Sequence, residues 1–562
     1  MSGKSFVCLF GILLSARITL QASSSSSPYY VGAAVEYHPV TKGDDGTVIA
    51  NENAKNYVKF LKKASEHEVD IIVFPEGSLT AGRSFPAEER TRYLPHSSYV
   101  PDPKDRVTPC KNDTSTVMQA LKAISCAARQ YNTYIVVNVR EKAKCTSEMK
   151  TCNTDGYQLY NTNVVFDRTG MVVARYRKYN LFGEPGFNVT VEPELSTFRT
   201  DFDVTFGQFI CFDILFEKPA IQLLRESKVT DIVFSSEWFS ELPFLTAPEI
   251  QSAWSYANNV NFLGSGYNDP SKGSGGSGIY AGLDGSLNSV WSEKRVNALL
   301  VSKIPRVVGG RRNERAQPTE SMTYIFPASE IPTIDGAEPV PQQKILSDDV
   351  APYTTKLFPP TNGTYSLTLC DRGLCCDFAT DTTHQNSLSS NNVKYYRYRF
   401  AVFNGVRSFS GKGTGGVEIC SIISCTDETE ESCSKRFDIN EIIAHPVTFN
   451  SIVIAGNFTV GPSVHRMPMG INTDLQPLNA TDFTFLTTNL NQTHANLKYS
   501  LRKSCKGLMT FGIWGRNFTA DGSPKTVRSS ANHSTPFMFM LVMLIILGIG
   551  STYAMGVLPN AA

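Results

Sequence analysis

The chain has 562 residues and a formal net charge of +1. That length exceeds what one hydrophobic core supports, so at least two domains are expected. With 41% hydrophobic and 11% aromatic residues it is a folded protein rather than a disordered one. The balanced charge excludes nucleic acid as an expected partner, because such binding needs a concentrated basic face.

In chain order, Lys4 precedes an apolar stretch over residues 6–14, and small residues follow around Ala22 and Ser23. This reads as a signal peptide over residues 1–22, although Arg17 makes it a weaker example. The serine tract at residues 23–27 reads as a disordered mature N-terminus. Within residues 51–67, Ala54, Tyr57, Val58, Leu61 and Ala64 have helical spacing. A strand-like run over 69–74 follows and ends at Pro75. A second helix over 116–130 and a strand over 133–139 repeat the order. Residues 159–167 and 171–177 flank an Arg-Thr-Gly turn and read as a hairpin. Residues 205–211, 230–236 and 260–264 read as further strands, with helices at 217–227 and 247–258. This alternation implies an α/β sheet covered by helices.

The character changes after Pro305. Residues 306–329 read as a linker that begins basic and glycine-containing, and residues 332–341 are proline-rich. Beyond them, short β-like segments dominate, at 365–369, 396–403, 416–422 and 451–459. Six of the 13 cysteines lie between Cys370 and Cys433. A second, smaller, mostly β, disulfide-stapled domain is therefore expected over 330–527.

The last charged residue is Arg528, and residues 537–557 are almost continuously apolar. A spanning helix would usually be followed by cytoplasmic Lys or Arg. A small-residue cluster, a polar spacer and an uncharged apolar end match a GPI-attachment signal over 528–562 instead. A transmembrane helix is the alternative. The expected location is thus the outer face of the cell membrane, with free secretion as the alternative. Eight Asn-x-Ser/Thr sites fit a lumenal chain: Asn112, Asn188, Asn362, Asn457, Asn479, Asn491, Asn517 and Asn532. In that compartment most thiols should pair.

Three residues carry candidate chemistry. Cys211 ends a strand in Phe209-Ile-Cys-Phe-Asp213, with a helix a few residues later. A nucleophile at such a turn is exposed at the sheet end, and the Phe212 N–H that follows it points toward a developing oxyanion. Taken alone, a cysteine among Phe and Ile is more often a core residue. Glu76 in Val73-Phe-Pro-Glu76 stands just past a buried strand, where α/β enzymes collect functional groups. Its bland reading is a surface loop glutamate. Lys178 ends the hairpin in Arg175-Tyr-Arg-Lys178, and its bland reading is a solvated strand end.

Together, Phe-Pro-Glu76, Tyr-x-Lys178-x-x-Leu-Phe and Phe-x-Cys211-Phe-Asp resemble the Glu-Lys-Cys constellation of the nitrilase superfamily of carbon–nitrogen hydrolases. The resemblance covers residues 28–305 and is closest to the vanin and biotinidase branch. Lys178-Tyr-Asn-Leu-Phe182, Cys211-Phe-Asp-Ile-Leu-Phe216, Trp238 with Leu242-Pro243, and Gly276-Ser-Gly-Ile-Tyr280 carry it. It continues through Cys370-Asp-Arg-Gly-Leu-Cys-Cys376, Ala401-Val-Phe-Asn-Gly405 and Glu418-Ile-Cys420.

The resemblance implies a four-layer αββα sandwich followed by a β-rich C-terminal domain. It implies Glu76, Lys178 and Cys211 as catalytic residues, a small-molecule amide as substrate, and no metal or organic cofactor. Glu184 is the nearest candidate for a second glutamate, and Trp238 for a pocket wall. Pantetheine is the implied substrate, with biotinyl-lysine amides as the alternative. A catalytically weak cell-surface scaffold is the competing class, but a scaffold needs none of the three residues. The chain departs from the branch at Ser236-Glu237-Trp238 and at Tyr267-Asn268-Asp269, both expected near the pocket.

Removing Cys8 and Cys211 from the 13 cysteines leaves 11, so at least one further thiol is spare. Cys145 and Cys152, close in a polar loop, should pair. The resemblance implies a Cys110–Cys126 bond and leaves Cys505 without a partner. The adjacent Cys375 and Cys376 should bond elsewhere than to each other.

Overall fold

The computed structural model describes residues 22–523, except 44, 82–83, 112–113, 147–151, 313–319, 333–343, 386–392 and 439. The signal-peptide reading therefore lies outside the described residues apart from Ala22. The GPI-signal reading over 528–562 lies wholly outside them.

Two sheets form the first half. One has seven strands, in the order Ser321–Ile325, Ala298–Pro305, Tyr29–Glu36, Ile71–Val73, Tyr134–Lys144, Tyr157–Phe166 and Val172–Arg177. The other has six, in the order Ser286–Val290, Ser277–Ala281, Asn261–Gly266, Asp231–Ser236, Thr205–Ile210 and Thr197–Arg199. Their central strands are parallel, buried on both faces and correspondingly apolar. Ala34, Val73 and Val136 of the first sheet pack with Phe206, Val233 and Leu263 of the second. Outside the first sheet, the helices Gly46–Ser65 and Gln119–Tyr131 bury Tyr57, Leu61, Leu121 and Ile124. Outside the second, the helix Ala247–Asn258 buries Ile250 and Trp254. The order is helix, sheet, sheet, helix: the expected αββα sandwich.

The second half is a β-sandwich. One sheet runs Thr354–Leu357, Arg397–Phe409, Gly413–Cys425, Leu508–Asn517 and Val464–Asn472. The other runs Gly363–Asp371, Leu374–His384, Val447–Thr459, His494–Leu501 and Phe483–Asn489, with Cys505–Lys506 also pairing to Val447–Thr459. Leu374–His384 alternates buried and exposed residues, as a strand with one face on a core must. Phe378, Phe400, Ile422 and Ile454 lie in the shared core, and the Cys376–Cys420 disulfide joins the two sheets across it.

Three expectations are corrected. Residues 306–329 are not simply a linker. Ser321–Ile325 runs along the otherwise free edge of Ala298–Pro305, so its main chain completes the first sheet. The serine tract is not disordered: the Ser23 N–H donates to Asp70 Oδ1 at 3.0 Å, and Arg306 donates to the Ser27 carbonyl at 3.1 Å. The predicted strands at 396–403 and 416–422 are parts of one long hairpin. Its strands pair without a break from Arg397↔Cys425 to Phe409↔Gly413, and the turn uses Ser410 and Gly411 at positive φ.

The Cys110–Cys126 and Cys145–Cys152 bonds form as expected, and Cys375 and Cys376 bond to different partners; the pairings Cys370–Cys375, Cys376–Cys420 and Cys425–Cys433 come from the structure, and among the described residues Cys211 and Cys505 are free. Five disulfides mark a chain matured in an oxidising compartment. Among the sequon asparagines, Asn362, Asn457, Asn479 and Asn491 are exposed, while Asn188 and Asn517 are half-buried. Asn112 and Asn532 lie outside the described residues. Among the described residues no helix is long and apolar enough to cross a membrane.

The Cys376–Cys420 bond closes a loop of 44 residues. Replacing both cysteines by alanine should lower the stability of the C-terminal sandwich by about 2–5 kcal/mol. A urea unfolding curve followed by sandwich tryptophan Trp514 would read the shift.

Candidate active site

The ends of parallel strands leave backbone groups unpaired and side chains free to converge. Glu76 follows Ile71–Val73, Asn161 lies on Tyr157–Phe166, Lys178 follows Val172–Arg177, and Cys211 follows Thr205–Ile210. All three candidate catalytic residues are buried: Glu76 at 5% exposure, Lys178 at 1% and Cys211 at 4%.

Lys178 Nζ donates to Glu76 Oε1 at 2.7 Å and to Glu184 Oε1 at 2.6 Å. The Asn161 amide donates to the same two oxygens, at 2.7 and 3.1 Å. The Glu237 N–H donates to Glu76 Oε2 at 2.8 Å. Glu76 thus has both oxygens held before any substrate arrives. Burial alone would push the Lys178 ammonium down, but Glu184 and Glu76 outweigh it and hold its pKa well above the usual lysine range. Burial first, then the Glu76 charge, raises the Cys211 thiol well above its ordinary range against the pull of Lys178. At rest the group is therefore a neutral thiol, its Sγ 3.5 Å from the Glu237 carbonyl oxygen, beside a fixed cation.

Cys211 has φ +49°, a left-handed backbone that non-glycine residues seldom adopt. The strand ends at Ile210 and the chain enters a single turn, Cys211–Leu215. Asp213 fixes this turn. Its Oδ2 accepts from the Tyr176 hydroxyl at 2.7 Å and the Ile210 N–H at 3.1 Å. Its Oδ1 accepts from the Asn180 N–H and side-chain amide, both at 2.8 Å. Tyr176 and Asn180 bracket Lys178, so one buried carboxylate holds the lysine segment to the cysteine turn.

Two cavities meet at Cys211. A polar one of about 320 Å³ is lined by Glu76, Lys178, Glu184, Arg140, Glu237 and Tyr267, among others. A narrow apolar one of about 40 Å³ is lined by Phe182, Phe212, Trp238, Leu245 and Phe409 with Ser410. Trp238 is a cavity wall as expected, oriented by its Nε1 donating to the Leu245 carbonyl at 2.8 Å. Glu184, the nearest candidate for a second glutamate, stands against Lys178 at 2.6 Å. Among the described residues no group of three or more His, Cys, Asp or Glu is arranged to hold a metal ion.

Sequence reasoning missed Asn161, Arg140 and the contribution of the C-terminal sandwich. Phe409 and Ser410 come from the Arg397–Phe409 hairpin turn, roughly 200 residues after Cys211 in the sequence. The only signal was the glycine-rich Ser408-Phe-Ser-Gly-Lys-Gly-Thr-Gly-Gly416. The turn is held by Arg407, which pairs with Glu241 and, at 2.8 Å, with Asp348.

Residues 34–251 match the carbon–nitrogen hydrolase family, and residues 343–521 match the vanin C-terminal domain. Vanin-like protein 2 of Drosophila melanogaster is 34% identical over 91% of this chain and 94% of its own. The pantetheinase of Homo sapiens is 32% identical over 71% of this chain and 74% of its own. The human biotinidase is 29% identical over 89% and 91%. The chain belongs to the vanin branch of the carbon–nitrogen hydrolases, and it is a hydrolase of amide carbon–nitrogen bonds.

Glu184→Gln removes one of the two charges that hold Lys178 cationic while leaving an amide acceptor. It should lower kcat about 10-fold, less than removal of Lys178 itself, which should cost at least ~10²-fold as an oxyanion donor. Steady-state rates for the two variants on one amide substrate give the comparison; equal losses would deny the lysine a separate role.

Proposed function

We propose that this protein hydrolyses pantetheine to pantothenate and cysteamine through a thioester on Cys211. The observation that supports this most is the buried Glu76–Lys178–Glu184 cluster beside the Cys211 thiol at the junction of two cavities. The named pantetheinases among its relatives supply the substrate.

In this reading the Cys211 proton passes to the Glu76 carboxylate as the sulfur attacks the amide carbon. The thiol need not ionise beforehand. Its neutral resting state means that the charge appears only as the carbon–sulfur bond forms. The carbonyl oxygen becomes an oxyanion, stabilised by Lys178 Nζ and the Phe212 N–H. Glu76, now protonated, gives its proton to the nitrogen. The carbon–nitrogen bond breaks, the amine leaves, and the acyl group stays on sulfur. Glu76 then takes a proton from water, hydroxide adds to the thioester, and the carbon–sulfur bond breaks. The acid leaves and Cys211 regains its proton. Each step uses only groups of the chain, water and substrate.

Biotinyl-lysine amide is the second reading, favoured by the biotinidase likeness. Purified protein offered pantetheine and biocytin side by side should show higher kcat/KM for pantetheine; the reverse order overturns the first reading. Cys211→Ala should abolish both activities while secretion persists, and Glu76→Gln should cost at least ~10²-fold. Near-normal turnover in either variant would remove the proposed mechanism.

For the membrane, we propose a GPI anchor added within Asp521-Gly-Ser523 or Ser529-Ser-Ala531, ahead of the apolar tail. Treatment of intact cells with a phosphatidylinositol-specific phospholipase should release the protein. Retention on the membrane with residues 540–562 still present would indicate a spanning helix.

A further inference from the structure

The polar cavity holds two charged side chains that the proposed reaction does not use. Glu237 precedes Trp238 and lines both cavities, within reach of Cys211, whose Sγ lies 3.5 Å from the Glu237 carbonyl oxygen. Its carboxylate sits opposite Gly77: a Cβ placed on Gly77 would lie 3.8 Å from Glu237 Oε2. Arg140 leaves the strand Tyr134–Lys144 and lines the same cavity. Every other charge there has a partner. Lys178 is bound by Glu76 and Glu184, and Lys272 faces Asp269 at 3.5 Å. Among the described residues, neither the Glu237 carboxylate nor the Arg140 guanidinium has a hydrogen bond or ion pair. Arg140 only lies over the Tyr93 ring, 5.3 Å from its centroid.

Glu237 and Arg140 are both half-buried, so charged groups that lack a protein partner on the wall of a cavity are left to water or to whatever enters the cavity. An acceptor and a donor on the walls of one cavity, beside the nucleophile, define the chemistry of what arrives. We propose that Glu237 and Arg140 form a two-point recognition site for the polar part of the substrate. Glu237 accepts from its hydroxyl or N–H groups, and Arg140 donates to its carbonyl oxygen. Both are specificity-determining residues and neither handles the reacting proton. The inference rests on the amidase reading and specifies its substrate class: amides whose polar part carries hydrogen-bond donors together with a carbonyl acceptor.

The groups facing Glu237 make its charge sensitive to neutral pH. Burial raises its carboxyl to about 7, with Glu76 and Asp269 adding to the rise and Lys272 and Lys178 opposing it. Tyr267 and Arg140 also face it. The carboxylate that accepts two donors is therefore present above neutrality and lost as pH falls through about 7.

The test compares pantetheine with its analogue in which the pantoyl hydroxyls are replaced by hydrogen. Wild-type enzyme should prefer the hydroxylated substrate in kcat/KM by about 10- to 100-fold, the range of hydrogen bonds to a charged group. In Glu237→Ala and Glu237→Gln that ratio should collapse to within about threefold of unity. The ratio does not depend on the folded fraction of either variant. Arg140→Ala should raise KM at least ~10-fold on both substrates with a smaller change in kcat. The wild-type ratio should also rise with pH through neutrality, a measurement that needs no variant. A preference retained without Glu237, a ratio flat across neutral pH, or an Arg140 effect on kcat alone would each overturn the proposal. If the enzyme cleaves biocytin and not pantetheine, the pantetheine reading fails separately. The same variants are then scored by KM for biocytin, whose ureido group presents two N–H donors and a carbonyl.

Discussion

A single ammonium, Lys178, stands 1% exposed between two carboxylates, and the rest of the site is arranged around it. Taking such a charge out of water costs several kcal/mol, and the attraction of its partners offsets this only when the geometry is good. Here Glu76, Glu184 and the Asn161 amide share the duty at 2.6 to 3.1 Å. The three ions sum to one negative charge, and that surplus helps keep the neighbouring thiol protonated. In the proposed mechanism the cluster therefore sets two properties together: a permanent cation for an oxyanion and a base with a proton to collect. The fold holds it, through Asn138 donating to Asn161 at 2.7 Å and Asp213 tying the lysine segment to the cysteine turn.

The C-terminal sandwich is part of that support. Arg516, 1% exposed, reaches from Leu508–Asn517 to donate through Nε to the Leu215 carbonyl at 2.8 Å, at the end of the nucleophile turn. Its Nη1 donates to the Gly416 carbonyl at 2.6 Å and its Nη2 binds Asp521. Thr510 donates to the Pro243 carbonyl at 2.6 Å. Met467, Met469 and Trp514 share one core with Trp254 and the strands that carry Cys211. The apolar side of the second sheet is thus covered by the sandwich as well as by helix Ala247–Asn258. A wall of the substrate cavity is built from the same contact, through Phe409.

What was legible in the sequence was local. Cys211-Phe-Asp213 carries both the turn and the carboxylate that fixes it, and the alternating strands and helices of the first half declare its layers. The disulfides were legible where geometry and parity constrain them, as with Cys145–Cys152 and the adjacent Cys375 and Cys376. What was not legible depends on distant pairing. Nothing around Ser321–Ile325 shows that the neighbouring strand needs an edge partner, and nothing near Ser23 points to Asp70. Arg140 and Glu237 are 97 residues apart in the sequence, and only the crossing of two sheets brings them to one cavity. Their significance lies in lacking partners, which no local pattern can express.

The thiol raises a chemical constraint of its own. Five disulfides form among the described residues, so the compartment that closes them also threatens Cys211. Exchange and oxidation proceed through the thiolate and depend on access. Cys211 is 4% exposed, and burial together with the Glu76 charge keeps it protonated. The other free thiol among the described residues, Cys505, is half-buried at the margin of the sandwich core rather than in the core that holds Cys211. A nucleophile activated by a permanently lowered pKa would be reactive at all times, including during folding. In the proposed reaction, proton transfer to Glu76 accompanies attack, and the lysine supplies its charge to the oxygen of the substrate. In that reading the negative charge appears on the carbonyl oxygen as the carbon–sulfur bond forms, within one pre-formed electrostatic site. On the proposed mechanism, the low resting reactivity of the thiol and its capacity for acyl transfer thus have the same cause, the Glu76–Lys178–Glu184 cluster.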